Sequence, residues 1–213
     1  MADESYNVPN LADGEVFRVE QTIKRSRFIT SVGRTDSVES AKAFIEKIKT
    51  EFADARHNCW AYCAGAAGSS DRVGASDDGE PHGTAGRPML TIVTHSGIGE
   101  LTVVVTRYFG GILLGTGGLV KAYQSSVKMA LETLPIRKKV PVEVITLSIE
   151  HRFINQFLRL LEDFEGRVLS KEFAMDAEFS LEVPRDRADD FCKKIEEVTV
   201  GSLLLEREKR AES

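Results

Sequence analysis

Arg107-Tyr-Phe-Gly-Gly-Ile-Leu-Leu-Gly-Thr-Gly-Gly-Leu-Val-Lys121 joins the apolar run Leu101–Thr106 to the amphipathic stretch Leu119–Leu134. An apolar run, a glycine-dense turn and a helical repeat read together as a strand-to-helix connection. Gly110, Gly111, Gly115, Gly117 and Gly118 fall within nine residues. Glycine permits positive φ and bares its N–H groups, and a helix start adds about half a unit of positive charge. No acidic residue stands between Glu100 and Glu132, whereas Arg107, Lys121 and Lys128 do. The segment therefore favours an anion, best a phosphate. It is no standard nucleotide loop. Thr116 occupies the place of the P-loop lysine, and Val120 that of the third glycine in a dinucleotide fingerprint. Tight packing of the loop against a sheet accounts for the glycines as well.

Working outward, 213 residues suffice for one large domain or two small ones. The net charge of −5 argues against a general nucleic-acid coat protein. Residues 1–142 carry 17 basic and 16 acidic side chains, whereas residues 143–213 carry 11 and 17. Phosphate binding thus belongs to the first part. Three cysteines suit a reducing compartment, and the polar opening lacks a signal-peptide core. No charge-free stretch reaches the ~20 apolar residues of a membrane span. The expectation is a soluble cytoplasmic protein.

Residues 1–13 read as a loose tail. Glu15–Lys24 and Arg27–Arg34 read as strands joined by the basic turn Lys24-Arg-Ser-Arg27, a solvated tip or a contact for RNA phosphate. Asp36 and Glu39 suit a reciprocal cap, and Val38, Ala41, Ile45, Ile48 and Phe52 follow at helical spacing. A strand at His57–Ala64, a turn cluster at Ser76–Gly83 and a helix capped by Thr84 precede the glycine loop. Charge and Pro141 in Ile136–Pro141 mark a boundary, giving domains at 14–137 and 142–207 and a tail at 208–213.

The second part is plainer. Strands at Val142–Ile149, Arg167–Phe173, Asp176–Val183 and Ser202–Glu206 alternate with helices marked by Phe157, Leu161, Phe191 and Ile195, with Gly166 as a C-cap. The order βαββαβ is the ferredoxin-like arrangement.

Ser76-Asp-Asp-Gly-Glu-Pro-His-Gly-Thr-Ala-Gly-Arg-Pro88 is the other unusual segment. Asp77, Asp78, Glu80 and His82, with Thr84 beside them, are candidates for a metal site or polar cleft. Carboxylates capping a turn explain the acids equally well. If this segment meets the glycine loop, one cleft holds an acidic and an electropositive lip. His57, Cys59 and Cys63 share a strand face, but the two cysteines lie about 13 Å apart at ~3.3 Å per residue, too far for a disulfide or a common zinc. Buried apolar cysteines fit better. Arg56 and Trp60 take the opposite face. Ser76 is in no nucleophile elbow, and His95 and His151 stand alone.

Four segments together resemble the IMPACT/YigZ family. They are Lys24–Phe28, Ala55–Ala61, Ser76–Met89 and Val105–Tyr123, the last two long and specific. The resemblance spans nearly the whole chain and is to the bacterial branch, without the RWD domain of eukaryotic members. It implies an α+β protein of two domains, an N-terminal ribosomal protein S-five second-domain-like fold and a C-terminal ferredoxin-like fold. These are similar to domains IV and V of elongation factor G, an analogy that suggests ribosome or RNA contact. Eukaryotic members influence translation initiation. The family brings no established catalytic residues.

The expected function is a non-catalytic regulator linked to translation or stress, binding RNA, the ribosome or another phosphate-bearing partner through the N-terminal domain. Arg56, Arg107, Tyr108, Gly110, Gly111, Gly115, Gly117, Gly118 and Lys121 are the candidate contacts, with Tyr108 stacking on a base. One alternative is a metal-assisted enzyme acting on a nucleotide or phosphorylated substrate, the only reading that takes Mg²⁺. The other is a protein-interaction module for translation-related proteins. Neither a cofactor nor a membrane is expected, and the residues assign no oligomeric state.

Overall fold

The computed structural model describes residues 5–208. The chain divides between Lys139 and Val140 into two compact units. It is α+β in both.

In the first unit, β2 (Phe17–Ile23) and β3 (Ser26–Arg34) form a hairpin closed by Lys24 and Arg25. They are followed by α1 (Val38–Glu51), β4 (His57–Cys63), β5 (Val73–Ser76), α2 (Gly86–Thr94), β6 (Leu101–Tyr108) and α3 (Thr116–Thr133). The antiparallel sheet runs β2-β3-β6-β4-β5. Strand β6 is central and buried throughout Leu101–Arg107, as its continuous apolar run requires. Two clusters cover the sheet. Ala41, Phe44, Ile45 and Ile48 of α1 pack with Tyr62 and Val104, while Met89, Val93, Leu119, Tyr123 and Val127 of α2 and α3 pack with Phe28, Val103 and Val105. Alternate residues of β6 thus feed opposite layers.

The expected loose N-terminal tail is corrected by β1 (Tyr6–Pro9), which pairs antiparallel with β7 (Ile136–Lys139). Tyr6 faces Lys139 and Pro9 faces Ile136. Buried Glu100 ties this ladder to the sheet. Its carboxylate accepts from Tyr6 Oη at 2.9 Å and from Arg34 at 3.2 Å, and it pairs with Lys139. Burial alone would raise the Glu100 carboxyl, but Lys139, Tyr6 and Arg34 outweigh it and hold the group below its ordinary value.

Two caps also differ from expectation. Ser37, one residue later than Asp36, caps α1, its Oγ accepting from Ser40 N at 3.1 Å while Ser40 Oγ accepts from Ser37 N at 3.0 Å. Thr84 does not cap α2; its hydroxyl donates to the Pro81 carbonyl at 2.6 Å. The α2 start is served by Asp77, whose carboxylate accepts from Gly83, Ala85 and Gly86 N–H at 2.7, 2.9 and 2.8 Å.

The second unit has the strand order β11-β8-β10-β9, from β8 (Val142–Ile149), β9 (Arg167–Phe173), β10 (Ala177–Pro184) and β11 (Leu203–Glu208). Helices α4 (Ile154–Asp163) and α5 (Arg185–Val198) complete the ferredoxin-like order. Ala177, Phe179, Leu181 and Val183 are buried with Ile145, Leu147, Phe157 and Phe191, as the alternation predicts. At the end of α4 the left-handed residue is Glu165 (φ 56), not Gly166. Gly166 serves close approach instead, since a Cβ there would lie 2.3 Å from Leu161 Cδ1. Of the expected tail, Glu208 ends β11 and residues 209–213 lie outside the described residues. Among the described residues, no helix is long and apolar enough to cross a membrane.

Candidate functional site

The two unusual segments meet at the end of β6. Arg107 pairs with Glu80, Nη1 to Oε1 at 2.7 Å, and Tyr123 of α3 donates to the same oxygen at 2.8 Å. Arg107 is only 7% exposed and Glu80 8%. The register explains the reach, for Arg107 lies between Phe28 and His57 on the neighbouring strands. Its Nη2 approaches Ser26 Oγ at 3.5 Å, and its Nε is buried with no hydrogen-bond partner among the described residues. Arg107, expected as a surface charge for phosphate, is thus a buried bolt between the segments.

The acids follow the same pattern. Asp77 caps α2; burial pushes its carboxyl up, but three N–H bonds and His82 more than offset this and hold it below the ordinary value. Asp78 accepts from Lys49 Nζ at 2.8 Å and from Asn58 N–H at 2.7 Å, and Glu80 is taken by Arg107 and Tyr123. His82 is fully exposed, 3.8 Å from Asp77. Among the described residues no three His, Cys, Asp or Glu side chains converge as metal ligands. Of the candidate cleft residues, Asp77, Asp78, Glu80 and Thr84 are each held in separate hydrogen bonds, and His82 is exposed.

The sulfur chemistry is quiet. Cys59 Sγ lies 2.9 Å from the Asp77 carbonyl oxygen and 3.3 Å from Tyr123 Oη. Burial pushes its thiol up to about 12 against the lowering contact from Tyr123, with Glu80 adding to the rise. Burial also raises Cys63, Cys192 and the Tyr123 hydroxyl. None of these is an activated nucleophile.

The glycines divide by function. At Gly110 a Cβ would lie 1.9 Å from Arg25 O, so the loop rests on the hairpin turn, and Gly110 N–H donates to Ser26 Oγ at 3.2 Å. Packing accounts for that glycine. Gly111 and Gly115 have φ of 84° and 72°, and Gly115 starts α3 with no side-chain cap. Gly117 lies inside the helix, where a Cβ would meet nothing within 4 Å, and a Cβ at Gly118 would touch only Leu114 at 3.1 Å. The fold does not require Gly117. Lys121 is exposed four residues on. Helical side chains lean toward the N-terminus, so it overlies the turn begun by Gly117.

Arg56 is exposed and immediately precedes β4, whose His57 faces Arg107. Tyr108 is engaged: its hydroxyl donates to Asp54 Oδ1 at 2.7 Å and Arg27 lies 5.8 Å from its ring. The exposed aromatic is Phe109, which no sequence signal singles out. Position alone could not separate these adjacent rings, since strand alternation ends there.

These features define a two-domain α+β protein with an uncapped, glycine-lined helix start and a basic hairpin beside it. Residues 24–131 match the Impact N-terminal domain, and residues 147–202 match a domain of unknown function, DUF1949. The chain is 45% identical over 187 residues to IMPACT family member YigZ of Escherichia coli, covering 88% of this chain and 92% of that protein. It is 34% identical to IMPACT family member YvyE of Bacillus subtilis, covering 85% and 83%. A crystal structure described as that of a hypothetical protein superposes with a TM-score of 0.68 at 43% identity, over 95% of this chain and 96% of that one. The chain belongs to the IMPACT family.

Proposed function

We propose that this chain is a non-catalytic regulator linked to translation or stress, and that its N-terminal domain engages RNA, free or in the ribosome, through phosphate. Family membership supports a regulatory, translation-related role. The observation that carries the RNA reading is the start of α3. Gly115 leaves it uncapped, Gly117 keeps it open, Lys121 adds charge, and residues 101–131 hold no acid. Orphan N–H groups at a helix start suit an anion. Exposed Lys24, Arg25 and Arg56 extend the basic surface. Engagement of Asp77, Asp78 and Glu80 with helix starts and cations weighs against the metal-assisted alternative. Three free cysteines suit a reducing, cytoplasmic setting.

Binding of RNA and of ribosomes at two salt concentrations tests the reading, with wild type, Lys121→Ala and Arg25→Ala. Arg107 is left intact because its loss would disturb folding. Affinity should fall steeply with salt, and each substitution should reduce the salt slope by about one. Salt-insensitive binding, or binding unmoved by both substitutions, overturns it.

A further inference from the structure

Ahead of α3 the glycine loop holds three apolar side chains in solvent. Phe109 is 52% exposed, Ile112 40% and Leu113 83%. Three exposed apolar side chains within five residues mark an interaction surface more often than a lone exposed leucine does. Their setting is cationic. The contact of Gly110 with the backbone of Arg25 places the loop against the Lys24-Arg25 turn, whose two side chains are exposed. Both turn residues have positive φ, 45° and 66°, where Asn or Gly would sit at lower cost. Strain held at an exposed tip by two cations points to a use for the side chains themselves. The Arg107 guanidinium backs the Phe109 ring at 5.7 Å from its centroid. The ring is thus braced and half open.

We infer that this surface takes unpaired RNA, a base stacking on Phe109 while Ile112 and Leu113 cover the adjoining sugar or base and phosphates meet Lys24 and Arg25. The inference rests on the phosphate reading above and adds the conformation of the nucleic acid. Charge complementarity selects a polyanion, and the braced aromatic selects a free base face. A duplex offers the phosphates but hides its base faces in the stack. Apolar side chains beside an aromatic platform suit splayed bases.

The test compares a short single-stranded RNA lacking self-complementarity with the duplex of the same sequence, by fluorescence anisotropy on the full chain. Wild type, Phe109→Ala, Phe109→Trp, Lys24→Asn/Arg25→Gly and Lys121→Ala are measured across a salt series, with circular dichroism melts to verify folding. Wild type should favour the single strand by at least about tenfold. Phe109→Ala should lose roughly five- to a hundredfold on the single strand with its salt slope unchanged, and Phe109→Trp should retain binding. The turn variant should bind more weakly with a shallower slope while folding at least as stably. Equal affinity for duplex and single strand, or wild-type binding by Phe109→Ala, overturns the stacking inference. If Lys121→Ala and the turn variant still weaken binding in that case, the phosphate reading survives. If wild type binds neither RNA, both fall.

Discussion

Arg107 and Glu80 are charged in sequence and buried in the fold, and their energetics follow from that. Removing one partner of a buried pair strands the other, at a cost of about 3–5 kcal/mol. Glu80→Ala should reach that range by urea unfolding, because it leaves both Arg107 and Tyr123 without their acceptor. Arg107→Met with Glu80→Gln should cost less than the sum of the single changes, since the new amide oxygen still accepts from Tyr123 and no lone charge remains. Glu100 sets an acid dependence. Its folded pKa is depressed below the ordinary 4.5, so its contribution stands above that value and is lost as pH falls through the lower folded value. Glu100→Gln should be less stable at neutral pH and show a flatter decline below about pH 4.5 in a melt series. Neither role was legible in sequence. A charge carries no mark of burial, and the partners of Glu100 lie at Tyr6, Arg34 and Lys139, joined to it only by the fold. Asp77 likewise caps a helix start eight and nine residues away, beyond the local capping pattern.

Among elements, α3 and the β2–β3 hairpin depart from what stability alone favours. Gly117 has helical placement and an open Cβ position, so Gly117→Ala should raise stability by roughly 0.5–1 kcal/mol. The same change should weaken RNA binding by crowding the uncapped N–H groups. A melt and an anisotropy titration on one preparation check both signs. Elements with a buried face were readable because periodicity records burial: β8, β10, α4 and α5 follow their patterns closely. Strands β7 and β5 were not. Ile136–Lys139 has largely exposed side chains and no buried alternation, so it reads as a charge run. Val73–Ser76 is four residues with a glycine and no alternation. The basic turn, by contrast, was visible as a cluster, although its left-handed backbone was not.

For the whole molecule, the division after Lys139 predicts that residues 6–139 fold alone. A fragment cut at 14–137 omits Val8 and Leu11, both buried, together with β1. It should be less stable than the 6–139 fragment by roughly 3–6 kcal/mol, from the apolar burial lost, as paired thermal melts would report. RNA binding should stay with 6–139, because every residue assigned to the interface lies inside it. The sequence placed the second domain through its pattern and the first through its signature segments. The expected bounds leave β1 and the last two residues of β7 outside the first domain. The ladder that joins β1 to β7 has a mechanical consequence. With Tyr6 opposite Lys139 and Pro9 opposite Ile136, the chain enters and leaves the unit at the same end of the ladder. Tension applied through the chain peels these antiparallel bonds one pair after another instead of shearing them together. The ladder is the latch that yields first under load, opening before the five-stranded sheet bears any force.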